Sequence, residues 1–177
     1  PPTTPSVPTP PSPVAIAPGR LQFSNIAAAV LGDGLVAAHD QERIRFSAQG
    51  ARNASEVHPL VLLANLKLAA APPASGELAL ERLTEWLAAR TSVPYLRIDP
   101  TRVDVAGATA VVSHAYARRH RILPLAVDAE RVLVATSEPM ARDWVPDLQH
   151  LARRRIDIVL VNPLDLHRYS MEFFGVT

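Results

Sequence analysis

The sequence contains no cysteine and a single lysine, Lys67. Without cysteine there is no disulfide framework, no thiolate metal site and no cysteine nucleophile, a composition that fits a reducing compartment. Charge of one sign is lacking as well. The 18 Lys+Arg stand against 17 Asp+Glu for a net +1, leaving no global field to draw the chain to nucleic acid or to an anionic membrane. Aromatic residues are 5% of the chain, and no interleaved aromatic platform for stacking bases is present. No long apolar run is free of charge, so no transmembrane helix and no membrane insertion are expected. The first residues show neither the basic nor the apolar region of a signal peptide, and the missing initiating Met reads as an excerpt from a longer protein.

Catalytic patterns are missing too. There is no G-x-x-x-x-G-K-[ST] phosphate cradle, no G-x-S-x-G elbow and no H-E-x-x-H pair. His39, His58, His114, His120, His150 and His167 show no metal-ligand spacing. Asp99, Asp104, Asp128 and Asp157 stand near expected strand ends, where turns and caps account for them. The fragment is therefore expected to be non-enzymatic, with no metal and no resident cofactor.

What is present is a 48% hydrophobic composition, enough for one core or two small ones. Residues 1–20 are proline-rich and read as a disordered linker. Residues 21–92 read as a helical subdomain. Ile26, Ala27, Val30 and Leu31 share a helical face before Gly32 and Gly34. Asp40 is placed to cap a second helix, Pro59–Leu68 is apolar nearly all round, and Leu80, Leu83, Trp86 and Leu87 form the inner face of another helix with Glu77, Glu81 and Glu85 outside.

From residue 93 the pattern changes. Tyr95–Ile98 reads as a strand, Val105–His120 as one helix, Arg121–Val127 and Arg131–Ala135 as a hairpin, Trp144–Arg154 as a helix, Ile156–Val161 as a strand and Pro163–Phe174 as a closing helix. The expected fold is α+β: a helical subdomain, then a small mixed sheet packed with helices in the order β-α-β-β-α-β-α over residues 93–177. Arginines cluster at Arg118, Arg119 and Arg121 and again at Arg153 and Arg154. They are suited to helix C-termini or, if the clusters meet on one edge of the sheet, to an acidic partner.

Several ordered runs carry a family resemblance: Val93-Pro94-Tyr95 leading to Ile98-Asp99-Pro100, Ile122-Leu123-Pro124-Leu125, Val132 to Pro139, and Ile158–Val161 before a helix ending Met171-Glu172-Phe173-Phe174. Residues 93–174 resemble the N-terminal region of the type II secretion and type IV pilus assembly ATPases (GspE/PilB-like, with an MshEN-like region). The resemblance implies a non-catalytic docking or regulatory domain, cytoplasmic and peripheral at the inner membrane. Its implied partners are the cytoplasmic part of a platform protein and an ATPase domain further along the same chain; no nucleic acid is implied. It also implies an alternative function, since some relatives bind cyclic di-GMP through two tandem motifs. The first would fall near 27–49, with Leu31, Gly34, Phe46 and Gln49 as its residues here, and the second near 62–90.

Overall fold

The computed structural model describes residues 13–50 and 56–175. Helix α1 (Phe23–Gly32) buries Phe23, Ile26, Ala27 and Val30, the i, i+3, i+4, i+7 stripe of a helix with one apolar face. Helix α2 (Gln41–Ala48) contributes Ile44. Helix α3 (Pro59–Asn65) starts on a proline whose missing N–H costs nothing in the first turn and buries Leu60 and Leu63. Helix α4 (Leu80–Thr91) adds Leu83 and Leu87. Together with Leu68 and Leu78 these side chains make the first core.

Within this unit the chain repeats a device. Both α1 and α3 are followed by a residue of positive φ, Gly34 (φ 70) and Lys67 (φ 52), and both then run extended into the antiparallel bridge Val36↔Ala70. The N–H of Ala37 donates to the Ala69 carbonyl at 2.9 Å and that of Ala71 to the Leu35 carbonyl at 2.8 Å. Glycine meets the left-handed conformation without steric penalty at the first position; lysine adopts it at the second.

The remainder is a three-stranded sheet in the order β1-β2-β3. Strands β1 (Ile122–Val127) and β2 (Arg131–Thr136) form the expected antiparallel hairpin, irregular between Pro124 and Ala126. Its turn is closed by Asp128, whose Oδ1 accepts from the N–H groups of Glu130 and Arg131. Strand β3 (Arg155–Leu160) pairs parallel to β2 after a crossover through α7 (Trp144–Ala152). Helices α5 (Val105–Val111), α6 (His114–His120) and α8 (Pro163–Phe173) complete the unit. Leu123, Leu125, Ala135, Val161 and Leu166 pack in one core cluster, and Val132, Val134, Trp144, Leu148 and Ile156 in another. Leu160 and Val93 are buried in the helical unit's core, so apolar contact crosses the expected boundary at residue 93.

The α+β class is as expected, with differences in detail. The leading strand at Tyr95–Ile98 is reduced to the single parallel bridge Tyr95↔Leu160. Pro94 has no N–H to donate, and only its carbonyl and the Leu96 N–H reach Leu160. The helix expected over 105–120 is two. Val112 is extended (φ -138, ψ 158), and Ser113 restarts the helix by accepting from the Tyr116 N–H. Asp40 does not cap α2; its Oδ2 accepts from the Ala69 N–H at 2.8 Å and its Oδ1 pairs with Arg43.

The proline-rich segment lies outside the described residues as far as position 12. From Pro13 it forms a strap along α1. Asn25 accepts from the Ala17 N–H and donates to the Ala15 carbonyl, Arg90 donates to the Val14 carbonyl, and the Gly19 N–H donates to the Met140 carbonyl.

Asn162 joins the two units. Its Oδ1 caps α8 by accepting from Leu164 and Asp165, and its Nδ2 donates to Glu81 of α4 at 2.7 Å. Tyr95 donates to the other oxygen of the same carboxylate. Replacing Asn162 with alanine removes both the cap and a hydrogen bond from an 8% exposed site. The expected loss is about 2 kcal/mol, read as a lower urea midpoint with unchanged slope.

Candidate functional site

Between the helical unit and the α6–α8 pair lies a cleft of about 1030 Å³. Its helical wall carries Arg20, Gln22, Phe23, His58, Pro59 and Val61; its opposite wall carries His114 and Arg118 of α6 and Leu164, His167 and Ser170 of α8. Arg119 and Arg121 also reach it, and Glu56 is its one acidic lining residue. A smaller hollow of about 550 Å³ shares Arg20 and Arg119 as walls and is bounded further by Arg142 and Trp144.

An ion cluster lies beside the cleft and lines the smaller hollow. Glu138 is 2% exposed and follows β2, where Ser137 donates its N–H to the Arg121 carbonyl. The Glu138 carboxylate accepts from the Leu21 N–H at 2.9 Å and from Arg121 Nη1 at 2.9 Å, with Arg20 Nε 3.7 Å away. Burial raises Glu138 above the usual carboxylate range, and the Leu21 N–H, Arg121 and Arg20 pull it back. Arg121 is lowered by burial, opposed by Glu138, and it also donates to the Glu56 carbonyl.

His58 sits beside this cluster at 5% exposure. Its Nε2 donates to the Ser137 carbonyl at 2.7 Å and its Nδ1 accepts from the Leu60 N–H at 3.1 Å, so the neutral ring is held in one tautomer as the cap of α3. Burial lowers it to about 4, against the opposing effect of the Ser137 bond; the positive charges of Arg121 and Arg20 add to the lowering.

The arginine clusters do not meet. Arg118, Arg119 and Arg121 lie at the sheet end where Ile122, Thr136 and Leu160 are in register. Arg153 and Arg154 stand before Arg155, at the opposite end of the six-residue strand β3, about 17 Å away at the rise of a strand. Arg118 and Arg119 have no ion-pair partner among the described residues, while Arg154 donates to the carbonyls of Asp128 and Ala152.

The four residues assigned to a first dinucleotide motif are not in the cleft. Leu31 packs half-buried against the first core, Gly34 is the exposed left-handed residue after α1, Phe46 is 79% exposed on α2 and Gln49 is exposed at its C-terminus. Neither His58 nor Glu138 was singled out as a site residue by the sequence. The available signals were a histidine directly before a helix-starting Pro59, and a carboxylate ending the apolar run of β2. Trp86, placed by its pattern on an inner helical face, is half-buried and donates to Asp33 at 2.7 Å, whereas Trp144 is fully in the core.

Among the described residues no group of three or more His, Asp or Glu is placed to hold a metal ion, and no helix is long and apolar enough to cross a membrane. Residues 91–176 match the MshEN domain. That half of the chain is an MshEN-like domain. Domains of this kind form part of the GspE/PilB-type secretion and pilus ATPases, and the chain is 35% identical over 151 residues to the type IV pilus assembly ATPase TfpB of Acinetobacter baylyi. That alignment takes in 84% of this chain and 25% of the relative, so the chain spans about a quarter of the length of the curated relative it matches. The MshEN fold is also that of a solved structure of MshE with cdg, at a TM-score of 0.54 and 18% identity, over 87% of this chain and 99% of the other.

Proposed function

We propose that this MshEN domain is a regulatory module that binds cyclic di-GMP in the basic cleft and acts on an attached secretion or pilus ATPase. The observation that carries the reading is the cleft itself, which brings Arg118 and Arg119, without ion-pair partners among the described residues, together with Arg20 and Arg121, which share Glu138. A cyclic dinucleotide presents two phosphates and two flat bases, so it needs fixed cations and apolar walls together. The guanidiniums supply the first, and Pro59, Val61 and Leu164 supply the second. The volume is at the upper end of the range for small-molecule sites, as two nucleotides require. The related fold solved with cdg, cyclic di-GMP, supports the same ligand class.

Because one wall belongs to α1 and α3 and the other to α6 and α8, a ligand bridging them would change how the units sit against each other. That is the form a signal to a following ATPase domain would take. Calorimetric titration with cyclic di-GMP at physiological salt tests the proposal. Micromolar binding is expected, weakened about tenfold or more by Arg118→Ala through loss of a charge-assisted contact. Absence of heat at high protein concentration would remove the ligand from the account.

A second reading places the docking function at the far end of the sheet. Arg153 has no partner among the described residues, and Leu151 beside it is 74% exposed. An apolar side chain next to a free cation suits an acidic, partly apolar segment of an inner-membrane platform protein.

A further inference from the structure

Exposed apolar side chains mark a surface that a partner covers when they gather, and need no explanation when they stand singly. Among the described residues the exposed large ones are Phe46, Val57, Leu151 and Leu164. Phe46 lies on α2 and Leu151 on α7. Val57 and Leu164, 45% and 56% exposed, both line the cleft, and they do so from opposite walls. Val57 stands just before α3, and Leu164 belongs to the first turn of α8.

The same walls are basic. Arg118 and Arg119 are exposed on α6, line the cleft and have no ion-pair partner among the described residues. Glu56 is the one acid that lines it, and Asp165, next to Leu164, is paired with Arg168. A wholly apolar occupant would strip water from two guanidiniums and give them no partner. A small anion would pair with them and leave Val57 and Leu164 wet. Only an occupant that is apolar on one side and acidic on the other complements both features. Helices α3, α6 and α8 supply the lining, so recognition is by side chains, the mode of a helix laid in a groove.

We infer that the cleft is a docking groove for an acidic amphipathic helix of a partner protein. Its apolar stripe lies between Val57 and Leu164, and its carboxylates meet Arg118 and Arg119. The groove does not rest on the nucleotide reading: a dinucleotide held by the same arginines would compete with the helix, and one bound elsewhere would leave the groove free. It is also separate from the surface at Leu151 and Arg153.

Fluorescence anisotropy tests the groove with a labelled peptide of glutamate and leucine, the leucines at i, i+3, i+4 and i+7, and a lysine and leucine peptide of the same pattern as control. The acidic peptide is expected to bind the wild-type protein at about 10 μM, and the basic one not to bind. Leu164→Ser and Arg118→Ser should each weaken binding about tenfold with unchanged urea midpoints, since both side chains are exposed. Arg102→Ser, which removes an arginine 87% exposed outside the cleft, should bind as the wild type does. No binding of the acidic peptide, equal binding of the basic one, or wild-type affinity in Leu164→Ser and Arg118→Ser would overturn the groove. Cyclic di-GMP added to the bound peptide separates this inference from the nucleotide reading. Release of the peptide supports both; a peptide that stays bound while calorimetry shows the dinucleotide binding supports the groove and removes the nucleotide from the cleft.

Discussion

Replacing Glu138 with glutamine is expected to lower the unfolding free energy by about 3 kcal/mol and the thermal midpoint by about 9 °C. The carboxylate is 2% exposed and holds Arg121, whose side chain is 19% exposed. Neutralising it strands a guanidinium that water reaches poorly, and this dominates over the small change in packing. The value falls at the low end for a broken buried pair because Arg121 keeps some solvent. The same change weakens the anchor of Leu21, and with it the strap that leads into α1. A double variant, Glu138→Leu with Arg121→Met, is expected to recover part of the loss, since two apolar side chains leave no orphaned charge. Thermal and urea unfolding measure both effects; a loss below about 1 kcal/mol for the single change would class the pair with exposed ion pairs.

The second large effect concerns pH. His58 is held near 4 in the folded protein against 6.5 as its ordinary value. Below pH 6.5 the unfolded chain therefore binds a proton that the native state refuses. Stability from this group is complete above 6.5, falls as pH drops toward 4, and is level below that. The total is about 3 kcal/mol. Glu138, raised by burial, works in the other direction: its contribution is present below its unfolded value and is lost as pH rises through its folded one. A His58→Gln variant isolates the histidine. Urea midpoints between about pH 7 and about pH 4 should fall steeply in the wild type and more gently in the variant; parallel curves would show that His58 can be protonated without opening the core.

The parts of the fold legible in the sequence were those set by local pattern. The stripe of Ile26, Ala27 and Val30, the Pro59 helix start, the Asp128 hairpin and the Pro163 helix each declare themselves through periodicity or turn chemistry. Elements decided by distant contacts did not. Asp40 turns from its helix to Ala69, 29 residues away, and the Tyr95 segment forms a single bridge to Leu160 in place of a strand. The cleft was half visible. Arg118, Arg119 and Arg121 stood out as a cluster, yet Arg20, His58 and Ser170 come from separated elements, and their approach is a product of packing that no spacing encodes. Leu31, Gly34, Phe46 and Gln49, which the family resemblance implies, stand apart from the cleft.

The location of the ligand is the most direct test of this account. Backbone amide signals followed by NMR during a cyclic di-GMP titration should move at Arg20, Arg118, Arg121 and Ser170, with Phe46 and Gln49 unmoved. Shifts gathered at Phe46 and Gln49, with the cleft silent, would contradict it and return the dinucleotide to the surface of the first helical repeat.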